Sequence, residues 1–209
     1  MINELEFTEL ICARYSHDLA GPIGAINNGI EFLDYAEKDI KERAISLIKT
    51  SAEQSVVRLQ FLRQVYGYIR SESEMSLGEI VALAEAFFSL TKIKLKWNYD
   101  PNQESLSQFK ARFAKLILNV LNVASTIVLL VGEVEVTLES NGKFSVEMRG
   151  DRLIFDEYLI DVIKGEIEMV DVTTKNVHIY YLTQIAKDMG VKIGAVTKDK
   201  QLIISVEKK

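Results

Sequence analysis

His17 lies between Ser16 and Asp18 in a stretch where Ala13, Ala20, Gly21 and Gly24 recur at helical spacing. A neutral imidazole is abundant near pH 7, and its free ring nitrogen attacks an acyl phosphate directly. On a helical wheel of about 100° per residue, Ile11, Tyr15, Leu19, Ile23, Ile26, Ile30 and Leu33 fall in an arc roughly 120° wide, the side expected to be buried. His17 lies about 175° from the centre of that arc, so its ring is expected in solvent. Ala13, Ala20, Gly21 and Gly24 leave it proud of a low surface. Each exposed helical glycine costs about 1 kcal/mol relative to alanine, which clearance for a docking protein would offset. Arg14, one turn earlier, offers a positive charge to a phosphoryl group. Asp18 is a candidate to orient the ring or accept its proton, although adjacent helix positions diverge by about 100°. A surface histidine with no role satisfies the same wheel, and the residues alone leave that open.

Other chemistries have little to work with. One cysteine, Cys12, excludes an internal disulfide, and with only His17 and His178 beside it no metal-ligand spacing is recognisable. Cys12 is expected to be a buried apolar residue, and His178 an exposed or half-buried structural one. A net charge of −5 gives no basic footprint for nucleic acid or an anionic membrane. The start, Met-Ile-Asn-Glu-Leu-Glu, lacks a basic leader followed by an apolar run, so a cytoplasmic location is expected. The apolar run from Leu116 to Val131 is interrupted by Asn119, Asn122, Ser125 and Thr126 and is too short to span a bilayer, so it is expected inside a core.

Two prolines and eleven glycines are sparse punctuation, and long elements follow. Apolar spacing predicts helices from about Leu5 to Ala36 and from about Lys38 to Ser71, joined around Glu37 to Asp39 as a hairpin. The second helix sets Ser51, Gln54, Ser55 and Arg58 on its buried side, a polar layer of the kind that fixes register or oligomeric state. Pro22 removes a backbone donor and is expected to kink the first helix. Polar Ser71 to Glu74 marks a boundary, dividing the chain into 1–73 and 74–209. Beyond it, Ser76-Leu77-Gly78-Glu79 reads as a capping box opening a helix to about Leu90. A strand over Lys92 to Tyr99, a helix over about Ser105 to Leu130 and strands near Glu133 to Glu139 and Lys143 to Arg149 follow, the last two flanking an Asn141-Gly142 turn. Helices near Phe155 to Lys164 and Thr174 to Met189 precede Gly190 and two closing strands. The fold class is α+β: a helical hairpin, then antiparallel strands with helices over one face. Trp97, Phe87, Phe88, Phe109 and Phe113 read as core, because no basic groove accompanies them.

Ser16-His17-Asp18-Leu19-Ala20-Gly21-Pro22 resembles the phosphorylation box of sensor histidine kinases. Its continuation, Ile23-Gly24-Ala25-Ile26-Asn27-Asn28-Gly29-Ile30-Glu31, is more similar to the ChpT-type histidine phosphotransferases. A second block, Ser51-Ala52-Glu53-Gln54 with Arg58 to Arg63 and Tyr66-Gly67, resembles the second helix of that family. The resemblance implies a homodimer whose two hairpins form a four-helix bundle, followed by a domain similar to a kinase's ATPase domain. It implies a phosphohistidine at His17, exchanged with receiver domains of a hybrid histidine kinase and of response regulators. Magnesium is expected on the partner receiver, and no cofactor on this chain. The surface read as meeting the partner comprises Leu10, Ala13, Arg14, Ala20, Gly21, Gly24 and Asn28, with Gln60 and Arg63 on the second helix.

The chain departs from an active ATPase domain. Asn119 matches the first of two asparagines four residues apart, but the second position is Val123. Glu147-Met148-Arg149-Gly150-Asp151-Arg152 stands where Asp-x-Gly-x-Gly is expected, and no Gly-x-Gly lies between Phe155 and Thr173 to let backbone amides reach a polyphosphate. No ATP binding is expected, and the second domain is read as a scaffold or docking surface. A dimeric receiver-binding module without chemistry, and a sensor kinase with an unusual pocket, stay open as alternatives.

Overall fold

The computed structural model describes residues 2–34, 37–70, 72–103, 106, 108–139 and 142–208. Helix α1 spans Glu4–Phe32, opened by Asn3, whose side chain accepts a hydrogen bond from the Glu6 amide, and it continues through Pro22. Helix α2 spans Lys38–Tyr66. Both are shorter than apolar spacing alone implies. α2 stops because Gly67 turns to extended backbone and its amide closes on the Arg63 carbonyl. A Cβ at Gly67 would collide with that same carbonyl, so the turn requires glycine. Ala36 and Ser71, the expected ends, lie outside the described residues. The two helices approach closely at Gly29, where a Cβ would stand 2.6 Å from Ile48 Cγ1.

The remainder runs β1 (Glu74–Ser76), α3 (Leu77–Phe88), β2 (Lys92–Asn98), β3 (Gln108–Lys110), α4 (Ala111–Ile127), β4 (Val131–Leu138), β5 (Phe144–Gly150), α5 (Glu157–Lys164), α6 (Val177–Met189), β6 (Val191–Lys198) and β7 (Gln201–Lys208). The capping box is present: the Ser76 hydroxyl accepts from the Glu79 amide, and the Glu79 carboxylate accepts from the Ser76 amide. Antiparallel β1 and β3 were not foreseen, and β3 takes the residues expected to begin α4. Of the expected turn, Asn141 lies outside the described residues, and Gly142 has φ 76°.

The large sheet has the order β2-β4-β5-β7-β6. It is not antiparallel throughout as expected, because β2 and β4 pair in parallel. The chain leaves β2 and returns through α4, a crossover that lets the next strand run in the same direction. One face carries Val134, Val136, Phe144, Val146, Met148, Leu202 and Ile204 into the core. The other carries charge: Arg149 pairs with Glu147 at 2.7 Å and lies near Glu133 and Glu135, while Lys96 bonds Glu133 at 2.6 Å. At the β2 edge, Lys92, Lys94 and Lys96 alternate with inward Ile93, Leu95 and Trp97.

A single apolar cluster crosses the expected boundary at residue 73, joining Phe61, Leu62 and Val65 of α2 to α3, α4 and the sheet. Phe61 stacks on Phe87 at 4.0 Å between ring centroids. Phe87, Phe88, Phe109 and Phe113 are core, as read from the sequence, and Trp97 packs half-buried against it. The apolar run expected in the core through Val131 is buried from Leu116 to Val128 apart from half-buried Ser125 and Thr126, but beyond the end of α4 Leu129 is half-buried and Leu130 and Val131 are 79 % and 52 % exposed. No described helix is long and apolar enough to cross a membrane.

Burial on α1 also differs from expectation. Cys12 is exposed. Ile23 and Ile30 of the supposed buried arc are each 53 % exposed, while Ile11, Tyr15, Leu19, Ile26 and Leu33 are half-buried. The cause is geometric: α2 covers only part of the arc, and Cys12, Ile23 and Ile30 lie within about 20° of one another on its uncovered side.

Candidate functional site

His17 projects from the middle of α1 with 84 % of its side chain exposed. The floor around it is low: Ala13, Ala20, Gly21 and Gly24 are all exposed, and a Cβ built on either glycine meets nothing within 4 Å beyond its own stretch of helix among the described residues. Asn28 is exposed and Leu10 half-buried on the same helix. Gln60 and Arg63 are exposed on α2 and make no hydrogen bond or ion pair with the α1 residues among the described ones.

Three side chains are brought together. Asp18 accepts from Arg14 Nε through Oδ2 at 2.9 Å, while its Oδ1 lies 3.4 Å from His17 Nδ1. The contact is long for a hydrogen bond, as such contacts often are before a partner closes on the site. A carboxylate only accepts, so this contact favours the proton on Nδ1 and leaves the Nε2 lone pair facing solvent. The sequence reading offered the charge of Arg14 to a phosphoryl group, and in the structure its guanidinium is engaged within the chain. The Arg14 and Asp18 side chains are only 18 % and 19 % exposed, and Arg14 Nη1 also donates to the Thr174 carbonyl at 3.3 Å. Thr174 belongs to the loop before α6, which is pinned by Asn176. The Thr173 amide donates to Asn176 Oδ1 at 2.7 Å, and Asn176 Nδ2 donates to the Asp171 carbonyl at 3.2 Å.

The hairpin is bonded to the second part through the end of α2, an arrangement the sequence did not disclose. Asn119 Nδ2 donates to the Val65 carbonyl at 3.1 Å and to the Lys115 carbonyl at 2.8 Å. Lys115 Nζ donates to the Gly67 carbonyl at 2.7 Å and sits 5.2 Å from the centroid of the Tyr181 ring. These bonds satisfy carbonyls that a helix terminus leaves unpaired. Burial, with Arg112 adding to it, lowers the Lys115 ammonium to about 8. Asn122 Nδ2 donates to the Tyr66 hydroxyl at 3.2 Å, and burial raises that phenol to about 12. Phe7 packs on Tyr180 and Tyr181, and Tyr66 packs on Tyr15 and Tyr181. The available signal was the tyrosine content of Tyr15, Tyr66, Tyr180 and Tyr181, but their convergence depends on long-range packing.

His178 is fully buried, not exposed or half-buried as expected. The Thr126 hydroxyl spends its proton on the Val123 carbonyl, so it accepts from His178 Nε2 at 2.9 Å. Among the described residues Nδ1 has no partner, and burial first, then Arg14, lowers the ring's pKa to about 3, holding it neutral. Among the described residues, no cluster of three or more histidine, cysteine or acidic side chains is arranged to hold a metal.

A family model described as the histidine phosphotransferase C-terminal domain matches residues 77–201. The chain belongs to the histidine phosphotransferase family. It is 28 % identical to the protein phosphotransferase ChpT of Brucella abortus (strain 2308), over 99 % of this chain and 97 % of that one. It is also similar to a bacterial phosphotransferase of solved structure, at 27 % identity and a TM-score of 0.84, covering 99 % of this chain and 98 % of the other. The nucleophile candidate lies outside the matched domain, on the hairpin, and the relatives' alignments extend across it. In this phosphotransferase the helix bearing Asn119 and Asn122 faces the α2 terminus, with the two residues 1 % and 3 % exposed.

Proposed function

We propose that this phosphotransferase carries a phosphoryl group on His17 and passes it between receiver-domain aspartates of a hybrid histidine kinase and of response regulators. The observation that carries the reading is the exposed His17 ring above an open glycine floor, with Asp18 at Nδ1. Nε2 attacks the phosphorus of an aspartyl phosphate. The N–P bond forms as the bond from phosphorus to the carboxyl oxygen breaks, and the aspartate leaves as carboxylate. The proton stays on Nδ1, where Asp18 faces the ring's developing positive charge. The reverse step delivers the group to the next receiver. Magnesium belongs to the receiver, where it would offset charge on the transferred group.

The division of labour is a phosphotransfer hairpin over 1–73 and a domain over 74–209 that binds no nucleotide. Packing supports the second part: the Asn119 amide nitrogen is spent on the Val65 carbonyl of α2 and the Lys115 carbonyl of α4, and Val123 is fully buried. Two copies pair through the uncovered apolar rows, with Ile23 and Ile30 of α1 beside Ile45, Val56 and Leu59 of α2, all exposed in the single chain. The working compartment is the cytoplasm.

Incubation with a phosphorylated receiver is expected to label the wild type and leave a folded His17→Ala variant unlabelled. Labelling that persists in the variant refutes the site. Titration with Mg-ATP is expected to give no micromolar binding, and labelled ATP no autophosphorylation. Tight receiver binding without phosphoryl exchange would instead establish a binding module.

A further inference from the structure

We propose that Arg14 is a positioning residue through which the C-terminal domain sets the ring of His17, rather than a cation that grips the phosphoryl group. The inference rests on His17 being the phosphoacceptor. The chain of contacts is continuous: the Thr174 carbonyl accepts from Arg14 Nη1 at 3.3 Å, Arg14 Nε donates to Asp18 Oδ2 at 2.9 Å, and Asp18 Oδ1 faces His17 Nδ1 at 3.4 Å.

Several features separate this arrangement from an incidental surface pair. Both charged side chains are less than one-fifth exposed, whereas the ring they lead to is 84 % exposed. Arg14 precedes Asp18 by four residues, the less favourable order for an ion pair on a helix, so helix stability alone does not account for it. The guanidinium uses two branches of its fork at once, one to the carboxylate and one to a carbonyl of another element, which a lysine ammonium cannot match in plane. Thr174 is held in turn by Asn176, which ties Thr173 to Asp171. Two turns earlier on α1, Phe7 packs on Tyr180 and Tyr181 and holds α1 against α6.

The consequence is directional. With one Asp18 oxygen anchored, the other faces Nδ1 and favours the Nδ1–H form of the ring. Released, Asp18 can turn away, and the ring relaxes toward the Nε2–H form that free imidazole side chains prefer, in which the attacking nitrogen carries the proton. The domain that binds no nucleotide then has a task in transfer: it presents a carbonyl that keeps the nucleophile's tautomer.

The test compares full-length wild type, Arg14→Met, Arg14→Lys and Asn176→Ala. Single-turnover transfer from a phosphorylated receiver is followed across receiver concentrations, together with the ¹⁵N shifts of the His17 ring. Arg14→Met is expected to lower the saturating rate by about 10- to 100-fold, as misplacement of a reacting group does, with the half-saturating concentration within about two-fold of wild type. Its ring shifts move toward the Nε2–H form, and Arg14→Lys falls between the two. Asn176→Ala, whose side chain makes its hydrogen bonds to Thr173 and Asp171 and none to the hairpin among the described residues, shifts rate and tautomer in the same direction by a smaller amount. A raised half-saturating concentration with an unchanged saturating rate would assign Arg14 to the partner and overturn the proposal, as would an unchanged tautomer in Arg14→Met or Asn176→Ala. Should Arg14→Met not fold, the Asn176→Ala arm decides alone. Failure of the underlying assignment is read separately, as label surviving in His17→Ala.

Discussion

Replacing Gly21 and Gly24 together by alanine should make the protein more stable and a worse phosphotransferase. Both glycines sit inside α1, where alanine is favoured by about 1 kcal/mol per position. A Cβ at Gly24 meets no atom within 4 Å outside its own stretch of helix, so no clash subtracts from that gain, whereas at Gly21 the ring of the following Pro22 crowds a Cβ on helical backbone and offsets it. The net gain is about 1 kcal/mol, or a melting temperature higher by about 2–4 °C for a chain of this size. The same two methyl groups rise beside His17 into the space a receiver must enter. Overpacking of a close contact costs about 1–3 kcal/mol, which corresponds to about a 5- to 150-fold loss of transfer. Thermal unfolding and single-turnover transfer on the same preparations read the two effects. A double variant that melts at or below the wild type would mean the glycine floor is already covered in the free protein. One that transfers at the wild-type rate would mean the receiver does not use the clearance. Either result refutes the reasoning from open space.

Substituting Ile23 and Ile30 by glutamate should leave α1 intact, because both are half exposed in the single chain, yet give a monomer by light scattering at micromolar concentration; a persisting dimer would move the interface elsewhere. His178 has its folded pKa depressed to about 3 from 6.5, so its contribution is present above 6.5 and is lost as pH falls, at about 1 kcal/mol per pH unit below pH 6. Denaturant titrations of wild type and His178→Asn should therefore converge toward acid, and parallel curves would contradict the buried neutral ring. Lys115→Met leaves the Gly67 carbonyl without its donor and is expected to cost about 1–3 kcal/mol near neutral pH. Because the Lys115 pKa is depressed to about 8, the wild type gains stability as pH rises from 8 toward 10.5, and the variant should lack that rise.

The parts of the site that a single helix determines were legible in the sequence. Helical periodicity placed His17 opposite the apolar arc, and the residue types at Gly21 and Gly24 implied an open floor before any coordinates. Local grammar also served well at Ser76 and Glu79, where the capping box depends on residues three apart. What could not be read depends on neighbours distant in the chain. Arg14 meets a carbonyl 160 residues away, so its engagement had no signature within α1. His178 was misjudged because its burial comes from α4 through Thr126, not from its own helix. Cys12, Ile23 and Ile30 were misplaced for the opposite reason: periodicity identifies an apolar arc but not how much of it one partner helix covers. The short β1 and β3 were invisible because three residues are too few to show alternation.

The alternating lysines at the β2 border have a consequence for life in a crowded compartment. A strand with nothing beside it offers a row of unmet amides and carbonyls, and an extended segment of another protein readily adds itself there. Lys92 and Lys94 line that margin with like charge beside Lys96, which is paired with Glu133 of the neighbouring strand, so a guest strand would have to strip water from exposed ammonium groups. Strand addition at this border of the sheet is thereby disfavoured.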